Sequence, residues 1–190
     1  MSGLAYQEDI WEELLDGQIT AMSPRPTVSH NHVTGNIYAI FKNYLKGKPC
    51  VVFADGVDVY LTEKDIFIPD VLVVCDKNII KKNGIHGAPD LVVEVLSPTT
   101  IKRDRGYKKD VYGKSGVKEY WLADIENRSV EVYVLKEGEL VLEDIYPVIP
   151  DYLIEKMKEE EKDSIVHEFS PVLFPDLVIS LEEVFENILL

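Results

Sequence analysis

The chain is poor in cysteine, with only Cys50 and Cys75 among 190 residues. Two cysteines make no disulfide framework. Both lie beside apolar residues and read as buried thiols, and they stand too far apart for a zinc site built on them to be expected. Long apolar runs are missing: none approaches the roughly 20 residues that span a bilayer. The opening "MSGLAYQEDIWEELLDG" lacks the basic region and apolar block of a signal peptide, so a soluble, cytoplasmic protein without membrane partners is expected. A glycine-rich phosphate loop is absent, because "KKNGIHGAP" lacks the Lys-Ser/Thr ending. No Gly-x-Ser-x-Gly context surrounds Ser97, which leaves it a turn residue. Positive charge is also in deficit. The net charge of −14 argues against a general nucleic-acid coat protein.

The positive charge that is there gathers in one place. Lys102, Arg103, Arg105, Lys108, Lys109, Lys114 and Lys118 crowd a short segment, against Asp104, Asp110 and Glu119. Charge alone reads this as a solvated helix face, yet a basic stripe on an acidic body can serve one anionic substrate.

No internal repeat is visible, and the length suits one domain over 1–190. Residues 6–16 read as a short helix ended by Asp16-Gly17, followed by "QITAM" as a strand. A helix is expected from about Val28 to Leu45, stopped by Gly47 and Pro49. "CVVFADGVDVYL" and "IFIPDVLVVC" read as strands, with Pro69 marking an edge or bulge, and "KNIIKKNGIHGAP" as a polar loop. "DLVVEVL" is apolar on both faces and so central. A helix over about 103–115 follows, capped by Thr99 or Thr100. "VKEYWLAD", "SVEVYVLK" and "GELVLED" are further strands, and 155–163 is a charged helix or loop. A strand-like piece and a terminal helix close the chain. The fold class is α/β, a mixed sheet with helices on its faces.

Two strands carry an acid in apolar surroundings: Asp70 after Ile68-Pro69, and Glu94 inside "DLVVEVL". A buried carboxylate shifts its pKa, finds a partner or binds a metal. Two converging strand carboxylates make a hard-oxygen site suited to Mg²⁺ or Mn²⁺. Hydrolysis of a phosphodiester there also needs a nearby cation. The position two residues after Glu94, on its face of the strand, is Leu96, so a strand lysine is missing. The following helix offers Lys102, Lys108 and Lys109. Lys108 is the best placed, because Asp104, Lys108 and Tyr112 share one helix face. Asp90 reads as a strand cap or the partner of a nearby base. Tyr112, Tyr120 and Trp121 read as packing residues.

"PD" at 69–70, "GAPDLVVEVLSPTT" at 87–100, "RDRGYKKDVYGKSGVKEYWLAD" at 103–124 and "WEELLDGQITAMSPRPTVSHN" at 11–31 resemble the Uma2 family (DUF820). That family is similar to nucleases of the PD-(D/E)XK superfamily. The resemblance implies a restriction-endonuclease-like mixed central β-sheet flanked by α-helices. It implies Asp70 and Glu94 as metal ligands and a catalytic lysine moved to the helix, matching Lys108. It places Glu13, on the first helix, as an auxiliary acid and His30 at a histidine position of the family pattern. Asp90, Asp104 and Tyr112 are the further auxiliary candidates. The expected function is a Mg²⁺- or Mn²⁺-dependent endonuclease acting on nucleic acid, DNA foremost, and pairing as a homodimer. The alternatives are a catalytically inactive binding module on the same fold and a phosphohydrolase of small phosphate esters.

Overall fold

The computed structural model describes residues 12–21 and 25–189. The described residues begin with a hairpin, β1 (Glu12–Leu15) and β2 (Gln18–Ala21), where a helix over 6–16 was expected; residues 6–11 lie outside the described residues. The reason is the turn. Asp16 and Gly17 take φ of 48° and 76°, the paired positive φ of a two-residue hairpin connection, for which Asp-Gly is a preferred sequence. Glu13 therefore sits on a strand.

Helix α1 (Val28–Tyr44) follows, its N-cap Thr27 accepting a bond from the His30 amide. Next come β3 (Val51–Ala54), β4 (Val59–Tyr60), β5 (Ile66–Phe67) and β6 (Val71–Val74). The single strand expected through Pro69 is two strands in two sheets. Proline has no amide to donate to a ladder, and the chain crosses between sheets at Ile68-Pro69-Asp70. The expected polar loop holds β7 (Ile80–Lys81) and β8 (Gly84–His86). Gly84 is needed there: at φ 140° an added Cβ would lie 2.4 Å from the Asp58 carbonyl oxygen.

The central strand β9 (Leu91–Leu96) leads into one continuous helical stretch. It comprises α2 (Ile101–Arg103), a wider π-turn (Asp104–Lys108) and α3 (Lys109–Ser115), closed by left-handed Gly116. Strands β10 (Glu119–Asp124), β11 (Ser129–Lys136) and β12 (Glu139–Pro147) complete the main sheet. Short pieces follow: α4 (Asp151–Ile154), α5 (Glu159–Lys162), β13 (Glu168–Phe169), β14 (Ile179–Ser180) and α6 (Leu181–Val184).

The main sheet runs β12-β11-β10-β9-β6-β3, with β9 and β10 parallel and the other neighbours antiparallel. A smaller sheet runs β2-β1-β5-β4-β8-β7. Side chains alternate along β9. Leu91, Val93 and Val95 pack under α1 and the C-terminal segment, with Phe41 and Trp121. Val92 and Leu96 pack on the other face, with α3 and residues Val59, Phe67 and Ile85 of the small sheet. Glu94 belongs to this second face, between helix and sheet.

Cys50 and Cys75 form a disulfide, against the expectation of two thiols. The β3–β6 register pairs Val51 with Val74, so the next residue out on each strand meets its opposite. A sequence separation of 25 residues predicts that reducing this bond, or replacing both cysteines by serine, lowers stability by about 3 kcal/mol through loop entropy in the unfolded chain. Urea midpoints with and without reductant measure it.

Candidate active site

The antiparallel pairing of β6 with β9 sets Val71 against Val93. One step further along this register places Asp70 across from Glu94, on the same face. Asp70 Oδ2 accepts a 2.6 Å bond from the Val95 amide, which fixes its carboxylate over the β9 backbone. Its Oδ1 lies 3.4 Å from Nε2 of His30, in the first turns of α1.

Glu94 is 4 % exposed. Two donors meet on its Oε1: Lys108 Nζ at 3.0 Å and the Tyr112 hydroxyl at 2.9 Å. Lys108 Nζ also touches Glu13 Oε1 at 2.7 Å and stands 3.9 Å from Asp104 Oδ1. The lysine missing from position 96 thus arrives from the helix, between two strand acids. The π-turn over 104–108 carries it there. Such turns are frequent at functional sites, and here Tyr120 donates its hydroxyl to the Asp104 carbonyl at 3.0 Å. Glu13 is held in turn by the Ile68 amide at 3.0 Å and by Arg103 Nη2 at 3.3 Å.

Four acids (Glu13, Asp70, Glu94 and Asp104) face Lys108, Arg103 and His30. Negative charge is in excess, and the proton affinities follow. Burial pushes Glu94 well up; Lys108 opposes this, while Asp104, Asp70 and Glu13 add to it. Burial also raises Asp104 against the pull of Lys108. Burial alone would lower Lys108, but Glu94, Glu13 and Asp104 outweigh it and hold the side chain as an ammonium. Among the described residues, Glu13 Oε2 has the Arg103 ion pair but no hydrogen bond, and Asp104 Oδ1 is buried without one.

Burial lowers His30, but its bond to Asp70 and the charges of Asp70 and Asp55 reverse the sign, so the ring ends above its ordinary 6.5. A group raised on folding contributes stability below the unfolded pKa and loses it as pH rises through the folded one. Unfolding free energy is therefore expected to fall as pH climbs past 6.5, and Asp70→Asn should flatten the slope. Urea titrations at stepped pH read this directly.

The sequence candidates divide accordingly. Asp70, Glu94, Lys108, Glu13, Asp104, Tyr112 and His30 come together. Asp90 does not: it binds the Cys75 amide at 2.7 Å and Lys118 at 2.6 Å, at the other end of β9. Two residues were missed. Asp55 donates its amide to the Asp70 carbonyl at 2.9 Å and has its own pKa raised by burial and by Asp70; in sequence it is only an acid before Gly56. Arg103 stood among the basic residues, its pairing with Glu13 invisible. The rest of the basic stripe scatters. Arg105 binds Glu131 and Asp124, and Lys102 and Lys114 face solvent.

Among the described residues no group of three or more His, Cys, Asp or Glu is arranged to hold a metal ion. What stands there is a pair of carboxylates, with a surplus of negative charge around it. A pair suits Mg²⁺, which is commonly held by one or two carboxylates plus substrate phosphate and keeps several waters.

A mixed sheet with helices on its faces is the architecture of a restriction-endonuclease-like fold. The chain belongs to the Uma2 family, described as "Putative restriction endonuclease", whose model matches residues 4–157. It is similar to "Uncharacterized protein slr1290" of Synechocystis sp. (strain ATCC 27184 / PCC 6803 / Kazusa), at 32 % identity over 121 residues, which is 63 % of this chain and 63 % of that protein. Its fold matches the crystal structure of "a putative nuclease belonging to DUF820" from Anabaena variabilis ATCC 29413. That match has a TM-score of 0.68 and 20 % identity, over 92 % of this chain and 89 % of the other. Among the described residues no helix is long and apolar enough to cross a membrane.

Proposed function

We propose that this protein is a metal-dependent endonuclease that hydrolyses nucleic-acid phosphodiester bonds, DNA foremost, working as one cytoplasmic domain that pairs with a second copy to cut both strands. The observation that carries this reading is that Asp70, just before β6, lies across from Glu94 of β9, whose Oε1 is bound by Lys108 from the helical stretch. Asp70 and Glu94 would hold Mg²⁺ or Mn²⁺, which when bound lowers the pKa of a water and offsets phosphate charge. Lys108 is held protonated, so it does not act as a base. It orients the attacking water and steadies the negative charge that develops on phosphorus-bound oxygen. Lys108 and Tyr112 both bind Oε1 of Glu94, which fixes the orientation of the carboxylate. Glu13, anchored by Ile68 and Arg103, positions the ammonium rather than the substrate.

The first test is calorimetric titration of Mn²⁺ into the wild type and Asp70→Asn, followed by plasmid cleavage with Mg²⁺, Mn²⁺ or chelator. The expected result is metal binding and cleavage in the wild type, both lost in Asp70→Asn. Cleavage by Asp70→Asn at the wild-type rate, with contaminating nuclease excluded, overturns the reading. One observation favours the rival, a binding module without activity: Lys108 is only 2 % exposed and enclosed by acids, as a purely structural ion cluster would be. Under that reading the wild type binds no Mn²⁺ and cuts nothing. Comparing plasmid with a nitrophenyl phosphodiester separates both from a hydrolase of small esters.

A further inference from the structure

Tyr120 of β10 is fully buried, in the cluster that also holds Val92, Leu122 and Tyr112. Phenylalanine would fill the same space, and a buried hydroxyl needs a partner. The partner here is backbone. The hydroxyl donates to the Asp104 carbonyl at 3.0 Å, at the first residue of the π-turn. The residues on either side, Ile101–Arg103 and Lys109–Ser115, are wound as α-helix. A side chain that inserts into the carbonyl–amide ladder is a known cause of such local distortion.

Arg103 precedes the π-turn and Lys108 ends it, and both hold Glu13: Arg103 Nη2 lies 3.3 Å from Oε2 and Lys108 Nζ lies 2.7 Å from Oε1. Five residues apart, the two would stand about 140° apart around an α-helix. Pairing of a carbonyl with the amide five residues on brings such positions round to nearly the same side. One acid can then gather both cations. We infer that Tyr120 is a positioning residue: its hydroxyl keeps the 104–108 turn wide, which brings Arg103 and Lys108 together on Glu13 and holds the ammonium at Glu94. Without the hydroxyl, the Asp104 carbonyl loses a donor inside the core, at a cost in free energy. Plain α-helical winding then competes with the wide turn, and it costs Arg103 or Lys108 its contact with Glu13. The inference rests on the reading of Lys108 as the cation of the proposed reaction, and Tyr120 acts on that reaction only through the helix.

The test is Tyr120→Phe, which removes the hydroxyl alone, in the full-length protein without metal or nucleic acid. Urea midpoints establish that the variant is folded. Amide hydrogen exchange, and the Lys108 ammonium signal in the nuclear magnetic resonance spectrum of lysine-labelled protein, are then compared with wild type. The expected result is a shifted Lys108 signal and exchange over residues 104–108 faster by at least about tenfold, with a smaller rise in β9 and β10. A hydroxyl that serves the fold alone would speed exchange in all these segments by one factor and leave the ammonium signal in place, which overturns the inference. So does a folded variant with both readouts as in wild type. With Mn²⁺ and plasmid, the variant is expected to cut roughly tenfold to a hundredfold more slowly at nearly unchanged Mn²⁺ affinity, because the carboxylate pair stays on its strands while the ammonium is misplaced. Cleavage by the folded variant at the wild-type rate overturns the positioning role. The exchange and lysine readouts need neither metal nor cleavage, so they succeed or fail apart from the nuclease reading.

Discussion

Replacing Lys108 by methionine is expected to destabilise the protein by about 3–5 kcal/mol, more than any other single change at the acid cluster. The side chain is 2 % exposed and lies within 3.0 Å of both Glu13 and Glu94. Methionine nearly matches its length but removes the charge. Glu13, Glu94 and Asp104 are then left buried together with only Arg103, at 3.3 Å from Glu13, to oppose them. Part of that cost is recovered by protonation, because burial already raises Glu94 and Asp104. The deficit should therefore shrink as pH falls towards the raised carboxylate values. Adding Glu94→Gln to Lys108→Met should restore a large share of the stability, since the most buried unpaired charge disappears. Urea denaturation of the two single variants and the double variant gives the coupling between them. A Lys108→Met protein as stable as wild type would mean that the ammonium is not the counter-charge of this cluster.

Glu94→Gln is expected to reduce nucleic-acid cleavage at least about a thousandfold while costing far less stability than Lys108→Met. Glutamine keeps the shape and one carbonyl oxygen, so the Tyr112 and Lys108 bonds to Oε1 have a neutral acceptor left. Lys108 keeps its shortest partner, Glu13, at 2.7 Å. What is lost is half of the carboxylate pair that faces across β6 and β9, and with it the charge that attracts a divalent cation. The two measurements must therefore part company: activity collapses while the urea midpoint moves little. If both fall together, the carboxylate serves the fold alone. Full activity in a folded Glu94→Gln would remove it from the chemistry altogether.

Much of this arrangement is legible in the sequence. An acid in the middle of an apolar strand is costly to bury, so Glu94 declared itself, and β9 is indeed the central strand between β6 and β10. The four-residue spacing of Asp104, Lys108 and Tyr112 announced a shared helix face, and all three side chains are buried. These signals are local. They depend on periodicity and on the cost of hiding charge, both of which a linear chain displays.

The rest depended on strand pairing, which the linear chain does not display. Glu13 read as helical because Ile10, Trp11, Leu14 and Leu15 form one apolar helix side, but the Asp16-Gly17 turn sets Glu13 opposite Thr20, and Leu14 pairs with Ile66, which makes the segment a strand. The disulfide exists because β3 and β6 lie side by side in a register that brings 50 opposite 75. Asp55 and Arg103 joined the site only when β3 and the helix after β9 were docked against it. The sequence by itself determined which residues must be buried and which elements could carry charge at a tolerable cost. The tertiary structure alone decided which charges meet. That outcome is set by sheet order and register, where a one-residue shift turns every side chain to the opposite face.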